Sequence, residues 1–313
     1  MTIDPLLTLA SFGIGIVVGL TGMGGGALMT PVLVLFFSVP PLTAVSSDLV
    51  ASAVMKPVGS FVHLRRGTVH LGLVKWLCIG SVPGAFSGVL IARALGRGED
   101  VQQLVRTALG VALLLAAFGL IARAYLRLLE HARIRDGRAA PLSQERPDVV
   151  LRPWPTIVLG ALGGIVVGLT SVGSGSLIII ALMVLYPRLT ASQLVGTDLV
   201  QAVPLVASAA LGHILFGDFK LDLTTGLLLG CIPGVWVGAH LSARLPGGIV
   251  RRALAFVLLA SALKLLGLPN TETGIALLAT LLVAPVIWML VRRHYGYPAL
   301  ARGRWRAQDP SRG

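Results

Sequence analysis

Two glycine clusters and a few polar side chains inside apolar runs are the parts of this sequence that could do chemistry. Gly22, Gly24, Gly25 and Gly26 crowd one apolar stretch, and Gly173, Ser174 and Gly175 interrupt another. Glycine costs a helix interior about 1 kcal/mol relative to alanine, so such clusters need a physical reason. A deliberate break inside a membrane exposes backbone groups that can hold a ligand. The competing reading is close helix packing through small residues. Downstream of each cluster lies an acid, Asp48 in the run Ser46-Ser47-Asp48 and Asp198 in the run Gly196-Thr197-Asp198. An acid in hydrocarbon is costly and usually functional. Both are therefore candidates for carrying a proton or gating, against the plainer reading of a helix cap near the interface.

His63 and His213 each follow an acid by fifteen residues, roughly 22 Å along a helix. Acid and histidine then share a similar face at opposite ends, and a pair within one helix is excluded. Each histidine is a packed or interfacial residue, or else part of a gate or proton relay. Lys56 precedes Pro57 in mid-helix and has Val206 at the matching place; it adds positive charge to an anion path, snorkels, or pairs with Asp48. Gln201, one turn after Asp198, is a candidate neutral ligand contact. Lys75, Arg106 and Lys264 stand near helix ends, where snorkelling is the default.

The elements that must position these residues are membrane helices. The 313-residue chain is 55% hydrophobic and 12% charged, against about 25% charged in a soluble domain. The segment Thr273–Val291 contains no charged residue and is long enough for a hydrocarbon core of about 30 Å. Residues 1–5 lack Lys and Arg, so the basic start of a cleavable signal peptide is missing. The net charge of +13 does not indicate nucleic acid. The arginines fall in loops and at helix ends, as expected beside the cytoplasm or anionic lipid, with no interleaved aromatics. Cys78 and Cys231 lie in apolar segments at non-matching positions and read as small buried hydrophobes rather than a disulfide or metal pair. No H-E-x-x-H, Ser/His/Asp grouping or metal-ligand cluster suggests an enzyme or a cofactor.

The chain is internally duplicated. Gly15–Thr21 and Gly164–Thr170 match residue for residue; with a one-residue insertion, Asp48 aligns with Asp198, His63 with His213, and Gly80, Pro83, Gly84 and Gly88 with Gly230, Pro233, Gly234 and Gly238. The helices expected in the first half are Leu6–Gly22, the short Ala27–Phe37 ended by Pro40 and Pro41, Thr43–Leu64, Val69–Leu95 interrupted at Pro83-Gly84, and Val101–Leu129. Those in the second are Trp154–Val172, Leu177–Tyr186, Thr190–Phe216, Leu221–Leu245 and Ile249–Leu266. The organisation is a first transmembrane repeat (1–129), a cytoplasmic linker (130–152), a second repeat (153–267), an extra helix (268–291) and a basic cytoplasmic tail (292–313). With the Arg-rich linker fixed inside, an odd number of crossings per half also places Arg65-Arg66, the Arg244–Arg252 turn and the tail inside. The turns at Gly96–Asp100, Gly217–Lys220 and Gly267–Glu272 then fall outside. An odd count makes the halves inverted, and their glycine tips can meet near the midplane. There the short helices present free N–H groups and a positive dipole end, an anion site made of backbone.

The order of these motifs resembles the TauE/SafE family of sulfite-exporter-like permeases. The resemblance rests on G-L-T-G-x-G-G-G-x-x-x-x-P at Gly19–Pro31 with its second copy at Gly168–Ile180, on Ala44–Asp48 and Gly196–Asp198, and on Ile232–Ala239 with its partner Val82–Gly88. It covers about residues 10–266. It implies movement of small sulfur oxyanions or organosulfur anions, such as sulfite, sulfoacetate or thiosulfate, with proton coupling in some members. Copy two has Ser174 in place of a glycine and Ile180 in place of Pro31. The expectation is an all-α polytopic protein of the cytoplasmic (inner) membrane, with two inverted repeats, glycine-broken or re-entrant helices and one extra C-terminal transmembrane helix. As a secondary transporter it binds its anion with backbone amides at Gly24, Gly25, Gly26, Gly173, Ser174 and Gly175, and with Ser46, Ser47, Lys56, Thr197 and Gln201. Asp48, Asp198, His63 and His213 serve coupling or gating. Its partners are the small anion and the lipid bilayer, with no nucleic acid, and a homo-oligomer is left open. The alternatives are another solute or a cation as cargo, or a non-transporting subunit of a membrane complex.

Overall fold

The computed structural model describes residues 4–21, 25–65, 67, 69–96, 98–135, 150–175, 177–187, 189, 191–241 and 247–296. The described chain is a helical bundle without a named strand. Its helices are α1 (Pro5–Thr21), α2 (Gly26–Phe36), α3 (Pro41–Arg65), α4 (Leu71–Ala94), α5 (Glu99–Arg135), α6 (Pro153–Thr170), α7 (Leu177–Leu185), α8 (Ala191–Phe216), α9 (Leu221–Leu241), α10 (Gly247–Leu265) and α11 (Asn270–His294). Six of them, α4, α5, α6, α8, α9 and α11, are long and apolar enough to cross a membrane. The short helices α2 and α7 follow the two glycine clusters, as the sequence predicts. At about 1.5 Å per residue neither can span a bilayer alone.

Three expected details change. Pro83-Gly84 does not interrupt its helix: α4 runs unbroken with Pro83 inside it, because glycine packing against α6 holds the backbone on both sides of the proline. Pro41 opens α3 rather than ending α2, the position in a helix where a missing N–H costs nothing. Helix α5 continues to Arg135, six residues into the basic stretch read as linker.

Glycines set the closest helix pairs. A Cβ on Gly80 would lie 2.0 Å from the Ile157 carbonyl, on Gly84 2.5 Å from that of Ala161, and on Gly88 2.6 Å from that of Ile165. Partner numbers rise together, so α4 and α6 run parallel. The same pattern joins α9 to α1, where a Cβ on Gly230, Gly234 or Gly238 would meet the carbonyls of Thr8, Phe12 and Ile16 at 2.2–2.3 Å. Such contacts let backbones approach where lipid provides no hydrophobic drive for helix association. Gly15 belongs to this set, since its Cβ would lie 2.7 Å from the Cys231 carbonyl. The small-residue packing reading is therefore correct for Gly15, while the 173–175 cluster forms a break.

Helices α3 and α8 pack against each other in the middle of the bundle. Ser46 meets His213 and Ser60 meets the Leu199 carbonyl, so these two run antiparallel. Each short helix is buried in its own apolar cluster, α2 through Met29 and Leu33, α7 through Ile178 and Leu182. Helix α11 packs on α10 and leaves Ile275, Leu278, Leu282 and Ile287 on the outside, as befits a helix facing lipid.

Candidate functional site

The second break is irregular backbone. Helix α6 ends at Thr170, and Ser171 caps it in the left-handed region at φ 58°. Gly173 and Gly175 follow with φ of 130° and 104°, values that exclude ordinary side chains. Gly173 then accepts the Leu177 N–H that starts α7. In the first break Gly25 caps α2, and its carbonyl accepts the N–H groups of Leu28 and Met29. The two breaks touch: a Cβ on Gly26 would lie 2.1 Å from the Ser171 carbonyl.

Asp48 is fully buried at this meeting point. It stands two turns inside α3, so the helix-cap reading does not apply. Thr30 of α2 and Ser171 both donate to its Oδ2, at 2.8 and 2.6 Å, and Ser52 donates to Oδ1 at 3.4 Å. Three hydroxyls from three elements thus serve one carboxylate. Gly25 faces Met55, Asp48 and Ser52: a Cβ there would lie 3.2 Å from Met55 Cε and 3.7 Å from each of the other two side chains. The positive end of α2 therefore already has a carboxylate of the protein beside it.

Two turns further along α3, Lys56 is buried and donates to Ser174 in the second break. It is within electrostatic reach of both Asp48 and Asp198. Ser60, one turn past Lys56, donates to the carbonyl of Leu199, next in sequence to Asp198. The ammonium thus interacts electrostatically with an acid from each half. Asp198 is itself fully buried in α8, also two turns from its helix start.

The other expected residues divide. His213 stays a helix length from Asp198 along α8, as the sequence predicts, and antiparallel packing brings it to Ser46 near the start of α3. Its Nε2 donates to the Gly168 carbonyl at 2.9 Å, and its Nδ1 lies 2.8 Å from Ser46 Oγ, which also donates to the Leu42 carbonyl. His63 is half-buried in the last turn of α3. Thr197 accepts the His70 N–H, and Gln201 donates to Ser81. Ser47 Oγ and Gln201 Oε1 are buried without a hydrogen-bond partner, leaving each a free acceptor or donor position. Gly24 lies outside the described residues. Sequence reasoning did not mark Ser171 or Thr30. The available signal was Ser171 standing where the first copy has Gly22, and Thr30 as the polar residue of a short apolar helix.

Chemically, the cluster can bind and release a proton at Asp48, bind an anion at the Lys56 ammonium, and rearrange at the non-helical joint 171–175. Among the described residues no group of three His, Cys, Asp or Glu is placed to hold a metal ion.

Comparison with known proteins agrees with a transport machine. A "Probable membrane transporter protein YjnA" of Bacillus subtilis (strain 168) is 39% identical over 256 residues, 81% of this chain and 96% of that protein. The "Probable membrane transporter protein YdhB" of the same organism is 26% identical over 80% of this chain and 94% of its own length. A "Probable membrane transporter protein" of Xylella fastidiosa (strain Temecula1 / ATCC 700964) is 25% identical over 84% of this chain and 95% of its own. No solved structure matches. The family model described as "Sulfite exporter TauE/SafE" matches residues 7–265. With nearly the whole helical bundle inside that match, both breaks and the buried acids included, the chain belongs to the sulfite exporter TauE/SafE family of membrane transporters.

Proposed function

We propose that this protein is a secondary transporter of the cytoplasmic membrane that moves a small sulfur oxyanion, sulfite or a related organosulfur anion, coupled to protons. The observation that carries the reading is Lys56, a buried ammonium bonded to Ser174 in a helix break and within electrostatic reach of Asp48 and Asp198. A buried charge in a membrane segment marks a solute or proton pathway. An ammonium whose hydroxyl partner sits on an irregular joint can exchange that partner for an anion.

Charge balance gives the coupling. With all three groups ionised, two carboxylates and one ammonium carry one net negative charge, which repels an anion. Protonating Asp48 removes that repulsion, and Thr30 or Ser171 then rotates from donor to acceptor. The proton and the anion therefore enter together. The breaks at Gly25 and at 171–175 let α2 and α7 shift against α1 and α6, opening the site to one face at a time. The two halves are inverted in the membrane, a reading supported by the antiparallel pairing of the equivalent helices α3 and α8.

The test is uptake of labelled sulfite by proteoliposomes containing only this protein, beside protein-free vesicles. Saturable uptake that follows an imposed pH gradient is expected. Absence of saturable flux for sulfite, thiosulfate and sulfoacetate alike, or saturable flux of a metal cation instead, would overturn the reading.

A further inference from the structure

Of Lys75, Arg106 and Lys264, the three basic residues expected to snorkel, Arg106 is the one with a buried donor, its Nε, lacking a hydrogen-bond partner. The side chain lines a cavity of about 310 Å³ between the α2–α3 turn and the first turns of α5, together with Glu99, Gln102, Gln103, Ser38 and Val34. That volume lies in the range of small-ligand sites. Gln102 accepts the Leu42 N–H with its Oε1 at 3.1 Å, which leaves its NH₂ group to donate elsewhere. Glu99 is exposed, whereas Arg106 is half-buried with its Nε out of solvent. A half-buried guanidinium with amide donors beside it and an apolar wall along the 39–41 turn suits a small anion with an oxygen-rich head.

The cavity and the central site share helix α2. Val34, in its wall, and Thr30, which holds Asp48, are four residues apart on α2. They share one helix face about 6 Å apart. We infer that this cavity is a second anion site, a vestibule where Arg106 captures the oxyanion beside the α2 face that carries Thr30, the Asp48 partner, before it reaches Lys56. The vestibule role rests on the transport reading above; the anion site itself does not.

The test uses the full chain in lipid nanodiscs with Cys78→Ser and Cys231→Ser, and Ser38→Cys as reporter. Its rates with a sulfonate-bearing and a trimethylammonium-bearing methanethiosulfonate are measured relative to a free thiol. Gly98→Cys, on the neighbouring turn, serves as control. The expected result is a preference for the anionic reagent of about ten-fold at Ser38→Cys. Arg106→Gln should abolish it, Arg106→Lys should retain most of it, and methanesulfonate should slow the anionic reaction. A ratio at Ser38→Cys equal to that at Gly98→Cys overturns the proposal, as does a preference that survives Arg106→Gln. Arg106-dependent selectivity without sulfite flux in proteoliposomes would keep the anion site and remove the transport reading. Sulfite flux without selectivity would do the reverse.

Discussion

Ser171 shows how a single residue can hold two demands at once. Its left-handed backbone costs a non-glycine residue roughly 1–2 kcal/mol, while its hydroxyl gives Asp48 a bond of 2.6 Å. A hydrogen bond to a charged group is worth about 1.5–3 kcal/mol. Ser171→Ala loses the bond and keeps the strain; Ser171→Gly loses the bond and relieves it. Thermal unfolding in detergent should rank wild type above Ser171→Gly, and Ser171→Gly above Ser171→Ala by about 1 kcal/mol. Equal stability of the two variants would mean the left-handed residue is not strained. Asp48 and Lys56 were legible in the sequence because an ionisable side chain in an apolar run has few ordinary explanations. Ser171 and Thr30 were not, because a hydroxyl on a membrane helix usually bonds its own backbone, as Thr21 does with the Val17 carbonyl. Only the fold shows which hydroxyls turn outward to an acid.

Helix packing separates glycines that look alike on paper. Gly13 and Gly15 both lie in α1, two residues apart. A Cβ on Gly13 meets nothing within 4 Å, whereas one on Gly15 would lie 2.7 Å from the Cys231 carbonyl. Gly13→Ala should leave stability unchanged or raise it by about 0.5–1 kcal/mol through helix propensity. Gly15→Ala should lower it by about 1–3 kcal/mol through overpacking. Thermal melts of the two purified variants check this, and melts that shift alike would contradict the α1–α9 contact. The sequence located the break at 171–175 because Gly173 and Gly175 cluster in an apolar run; the matching residues 22–24 lie outside the described residues. Sequence reasoning misjudged Pro83, since a proline reads as a stop until the neighbouring helix that holds the backbone straight is known. The pairing of Ser46 with His213 was likewise out of reach, because it depends on two helices from different halves running antiparallel.

For the whole molecule, the inverted arrangement we propose makes a prediction about sides. Gly98→Cys should react with an impermeant thiol reagent added outside intact cells, and Asp136→Cys only after permeabilisation. Reaction of Asp136→Cys from outside would reverse the orientation. The first half of the chain contributes Asp48 and Lys56 and the second Ser171, Ser174 and Asp198, so the site exists only where the two meet. The most direct test of that site is simultaneous recording of sulfite and proton flux in proteoliposomes, comparing wild type with Lys56→Met and Asp48→Asn. The account predicts coupled fluxes in wild type. Lys56→Met should reduce sulfite flux at least about ten-fold, the scale of one lost charge-assisted contact, and Asp48→Asn should leave sulfite flux that no longer follows the pH gradient. Undiminished, pH-driven sulfite flux in both variants would contradict it.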